Sequence, residues 1–127
     1  MTVGLAVMTL AHPWLDMLRG SAFTAPAGTF IKLHTGDPGA AATANVSAVT
    51  GRQAATFSAA SGGAIALSNA PAFTMTASET ISHISVWDAS TAGNLLWTAA
   101  LTTPRAVVDT DTLTFTAVGV SLTPLAA

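Results

Sequence analysis

The chain has 127 residues, enough for one domain with its own core, and no cysteine, which excludes disulfide staples, thiolate metal sites and thiol catalysis. Charged residues make up 8% of it, against about 25% in ordinary soluble domains, while half is apolar. Four dispersed cations (Arg19, Lys32, Arg52, Arg105) at net charge −2 argue against a phosphate-reading surface, and no run reaches the roughly 18–20 apolar residues of a membrane helix. So few charges give a lone monomer little protection against self-association, so the composition points to burial in an oligomer or a larger assembly.

The first ten residues, MTVGLAVMTL, are apolar but have no Lys or Arg ahead of them, so they do not read as a secretory leader. Cytoplasmic synthesis without export is expected. Residues 1–22 form an apolar arm, and 23–127 a single β domain. In the arm, Pro13 suits the first turn of a short helix, where its missing N–H costs nothing. Trp14, Leu15, Met17 and Leu18 repeat at helical spacing, and Gly20 can stop the helix. Val3, Leu5, Val7, Met8 and Leu10 extend the helix or form a short strand, with a break expected at His12–Pro13. An arm this apolar docks either on its own domain or on a neighbouring subunit.

The β pattern starts near residue 28. Thr29–His34 reads as a strand ending in the turn Thr35-Gly36-Asp37-Pro38-Gly39, and 39–52 as a long loop of the kind that makes contacts. Short β segments follow at 53–59, 64–68 and 72–77. Thr80–Trp87 is the strongest strand, and Asp88–Gly93 turns it into a partner at Asn94–Leu101. Pro104 is expected to end that ladder. Residues 112–117 alternate with period two, and Val118, Val120 and Leu122 continue the spacing. Seven or eight short antiparallel strands define an all-β class, a β-sandwich or barrel-like domain with a short N-terminal helix or arm.

Chemistry is hard to assemble from what remains. The titratable candidates are His12, His34, His83, Asp16, Asp37, Glu79, Asp88, Asp109 and Asp111. Asp37 and Asp88 read as turn-capping carboxylates, and Asp109-Thr-Asp111 as an acidic turn rather than a Ca²⁺ site. His34 and Asp37 lack a third metal ligand, and His34 reads as a partly exposed strand-end residue. His83, inside an apolar strand, is a hydrogen-bonded or outward-facing residue ahead of a general base. The chain carries no Gly-x-Ser-x-Gly elbow and no phosphate loop. No catalytic, cofactor or metal residue is assigned, and the expected class is non-enzymatic. Trp87 and Trp97 would stack on a sugar only if both rings were exposed on one face.

Three groups of words carry a resemblance: Trp14-Leu-Asp-Met-Leu-Arg-Gly20 with Phe23 to Gly39; Arg52-Gln-Ala-Ala-Thr-Phe57 with Ser61-Gly-Gly; and Ile81 to Asp88 with Gly93-Asn-Leu-Leu-Trp97 and Leu101-Thr-Thr-Pro104. Together they resemble a family of small virion proteins of actinobacterial, mycobacteriophage-like siphophages, labelled tail fibre, minor tail or head-decoration protein. The resemblance implies a virion structural protein. A capsid decoration or minor capsid protein cementing the head exterior is expected first, and a tail-fibre or tail-tip protein involved in host attachment is the alternative. A sugar-binding module is the distant alternative. The expected partners are the major capsid protein or other virion proteins and further copies of the chain, a trimer being favoured, with no nucleic acid and no membrane. Interface candidates are Trp14, Leu15, Leu18, Phe23, His34, Asp37 and Arg52.

Overall fold

The computed structural model describes residues 3–122. The arm supplies a short strand, β1 (Gly4–Leu5), a π-helical turn (Val7–Ala11) and the helix α1 (His12–Met17). The strands that follow are β2 (Phe30–His34), β3 (Gln53–Ala54), β4 (Ala72–Thr74), β5 (Glu79–Trp87), β6 (Leu95–Val107) and β7 (Thr112–Thr114). All pairings are antiparallel, in a five-stranded sheet of order β1-β6-β5-β2-β3 and a two-stranded sheet β4-β7. The architecture is all-β and sandwich-like, and it is not a closed barrel.

Period-two alternation sorts the side chains of the larger sheet. Ile31 pairs with Val86 and Val86 with Trp97, while Leu33 pairs with Ile84, so these residues share one face. Phe73 and Met75 from the β4 region and Phe115 beyond β7 complete the same buried cluster. The Phe73 and Phe115 rings meet edge-on with centroids 5.9 Å apart, a geometry aromatic quadrupoles favour. The opposite face carries Lys32, His34, His83, Ser85, Trp87 and Thr98, of which His34, Ser85 and Thr98 are buried.

The helical arm does not break at His12–Pro13; it changes pitch there. The Ala11 and His12 amides reach back five residues, to the carbonyls of Ala6 and Val7. That widened π turn precedes Pro13, a residue that has no N–H to donate and whose ring clashes with an α-helical carbonyl. The upstream residues turn out to be both strand and helix. Gly4 and Leu5 pair with Thr98 and Trp97, then Leu10 enters the core.

Pro104 does not end β6. His83 pairs with Ala100 and Ile81 with Arg105, so Ser82 alone faces the segment from Leu101 to Pro104. A bulge of this kind asks for no ladder donor from proline. Between residues 53 and 69 the expected strands shrink to β3 and the bridges Phe57–Leu67 and Ser61–Ala64. Val118 and Val120 pack against the core without a strand of their own, joined to residues 63–65 by the bonds Ile65 N–H to Val120 O and Leu122 N–H to Gly63 O. At Gly119 a Cβ would stand 2.2 Å from the Ile65 carbonyl oxygen, so only glycine allows this approach.

Candidate functional site

The seven interface candidates do not converge; they divide among the helical arm, the loop after β2 and the β5–β6 turn. On the arm, the half-buried ring of Trp14 lies 6.4 Å from that of Phe23 and fastens the helix to the following segment. Leu15 and Leu18 point away, 62% and 82% exposed. Asp16 and Arg19 pair on the surface at 3.0 Å.

His34 is buried, not partly exposed. Its Nδ1 lies 2.9 Å from the Ala44 carbonyl and its Nε2 2.8 Å from Ser85 Oγ, which also receives the Trp87 indole N–H at 2.8 Å. A carbonyl only accepts, so the proton sits on Nδ1, and Nε2 accepts from the Ser85 hydroxyl. Desolvation lowers the His34 pKa, with the Ala44 carbonyl opposing and Lys32 and His83 adding to the depression. The ring clamps the loop of residues 35–48 to the sheet. The Glu79 carboxylate holds the loop's far end, accepting from Ser47 Oγ and the Ala48 N–H. Asp37 caps its own turn, its Oδ1 accepting the Gly39 N–H at 2.9 Å.

Arg52 lies 4.2 Å over the Trp87 ring and donates from one terminal nitrogen to the Ala89 and Ala92 carbonyls at 2.8 and 2.7 Å. It staples the β5–β6 turn, whose Asp88 accepts from the Asn94 N–H and side-chain amide. The backbone bond from Asn94 is the first cause holding the Asp88 carboxyl below its ordinary range. With Arg52 covering Trp87, and Trp97 buried against Phe57 on the other face of the sheet, the condition for two-ring sugar stacking is not met.

Among the described residues, no three of His, Asp and Glu stand close enough to hold a metal ion, and no helix is long and apolar enough to cross a membrane. Asp111 caps a turn, accepting the Val108 N–H at 3.0 Å. His83 bonds Ser82 through Nδ1 and leaves Nε2 without a partner. An open groove of about 400 Å³ between β6 and residues 113–119 is bordered by one charged side chain, Arg105.

What stands out is apolar surface. Of the eight large hydrophobic side chains exposed among the described residues, six lie in the arm: Val3, Val7, Met8, Leu15, Met17 and Leu18. Reading the helix as broken at Pro13 separated Met8 from Leu15, although one continuous helical segment carries both and leaves both exposed. Glu79 and Ser85 were also missed as anchors, though a serine inside so apolar a strand is a signal of a buried polar link.

The described residues thus form an all-β domain with an apolar helical arm. The chain belongs to the family described as podophage GP4 fiber I protein gp80, which it matches over residues 6–123. It is a bacteriophage virion structural protein, and the description names a podophage where the resemblance in the sequence implies siphophages. No curated protein matches the chain.

Proposed function

We propose that the chain is a non-enzymatic component of the phage fibre, assembled as a homo-oligomer together with other virion proteins. The family match over residues 6–123 carries this reading, and it supports a fibre better than a capsid-cementing role. The arm is consistent with it. A cementing arm would be held free for the lattice, whereas here Leu5 pairs across to Trp97 and Leu10 is buried in the protein's own core. Host attachment would then fall to the assembled fibre rather than to a pocket in one chain.

Immunogold labelling of intact virions, with the copy number of the chain measured by quantitative mass spectrometry, tests this. Label on the fibres with a copy number matching the fibre count is the expected result. Label over the head, at a simple ratio to the major capsid protein, would return the decoration reading.

A further inference from the structure

We propose that the outer face of the helical arm is the contact between copies of this chain, the helix of one copy packing against the same helix of a second. This deepens the fibre reading by naming a partner surface, and it rests on that reading only for where the contact is used. Val7 (55% exposed), Met8 (75%), Leu15 (62%) and Leu18 (82%) crown a helix whose other side is fixed by Leu10 and Trp14. Leu15 and Leu18, three residues apart, are neighbours on one side of the helix, and Val7 and Met8 extend the exposed apolar surface over the π turn before it.

Three observations select a second copy as the occupant. The four side chains expose on the order of 500 Å² of surface, near the upper end for a monomer's apolar patch and most of the ~800 Å² that one partner gives to a standard interface. The face carries no net charge from its ion pair, because Asp16 and Arg19 neutralise each other within the helix. Two identical faces therefore meet without like-charge repulsion, whereas a distinct partner is usually selected by charge complementarity. Outside the arm, the exposed large apolar residues among those described are only Val108 and Leu122, so no second surface of the chain matches this one. A contact between copies must then use the same face on each.

Sedimentation equilibrium of the full chain tests the proposal. Reversible association in the micromolar range is expected. The double substitution Leu15→Glu with Leu18→Glu should weaken it at least about tenfold while leaving the circular dichroism spectrum, and the melting temperature in dilute solution, unchanged. Because the chain has no cysteine, single variants Met8→Cys, Leu15→Cys and Leu18→Cys should form disulfide-linked dimers on mild oxidation, and Thr102→Cys should not. A chain that sediments as a monomer throughout, or glutamates that leave association intact, would overturn the proposal. Immunogold label on the head would sink the fibre assignment and leave the self-contact standing; a monomeric chain labelled on the fibre would do the reverse.

Discussion

The inner face of the five-stranded sheet and the outer face of the helical arm are built from the same kinds of residue and put them to opposite uses. On the sheet, Ile31, Leu33, Ile84 and Val86 are all at least 96% buried. On the arm, Leu15 and Leu18 stand mostly in solvent although nothing in their chemistry differs. The sheet saturates its apolar surface within one chain because a second layer, carrying Phe73, Met75 and Phe115, closes over it. The arm spends one side of its helix, through Leu10 and Trp14, on attachment to that domain and keeps the other. On the self-contact proposed above, the apolar residues that the fold does not use are the ones available for assembly.

The sharpest way to break this contrast is to open the sheet side. Phe73 is 1% exposed and lies edge-on to Phe115. Phe73→Ala should cost about 3–5 kcal/mol, the lost transfer energy plus the cavity left behind, read as a shift in the urea midpoint at constant m-value. A loss below about 1 kcal/mol would show that the two-stranded layer does not seal the core.

How much of this was legible beforehand follows the same division. The strand Glu79–Trp87, its hairpin partner and the strand at Phe30–His34 were readable because alternation and turn residues are local signals. The run of β6 through Pro104 was not, since it depends on a bulge opposite Ser82 that exists only once β5 is paired. Nor was the clamp on His34 readable, because Ala44 and Ser85 come to it from positions 10 and 51 residues away. Leu15 and Leu18 were recognised as apolar and helical; that they face outward is a property of packing, which no residue carries by itself.

A smaller effect, on loop docking, sharpens the comparison on the sheet's polar face. Folded His34 stays neutral because burial depresses its pKa, while the unfolded chain takes up a proton at the ordinary value of 6.5. The unfolded state then binds more protons, so this contribution is complete above pH 6.5 and is lost as pH falls below it toward the folded value. A second proton on the ring would also turn the Ser85 hydroxyl, which already accepts from Trp87, away from its partner. Lys32 on the same strand and His83 across from it add repulsion. Stability measured by urea between pH 7.5 and 5 should decline, and amide exchange in residues 35–48 should accelerate. His34→Gln should flatten that slope; a slope unchanged in the variant would assign it to another group. Asp88 acts in a separate window, losing its contribution only in the range below 3.8.

The smallest expected effect on folding is the most informative about the arm. Leu18→Ser removes an apolar side chain that is 82% exposed, so it vacates no cavity and leaves no buried group without a partner. Its cost to the isolated chain should lie within about 0.5 kcal/mol, as for surface sites generally. The same deletion of apolar area in the sheet would be felt several-fold more strongly, because there it removes contacts that the chain makes with itself. Melting measured well below the association range isolates the single chain, and melting well above it adds whatever a second copy contributes by mass action. If Leu18 belongs to the contact, the variant and the parent should melt together when dilute and separate when concentrated. A large loss already present in dilute solution would mean that Leu18 packs against its own domain, and the two faces would differ in degree rather than in purpose.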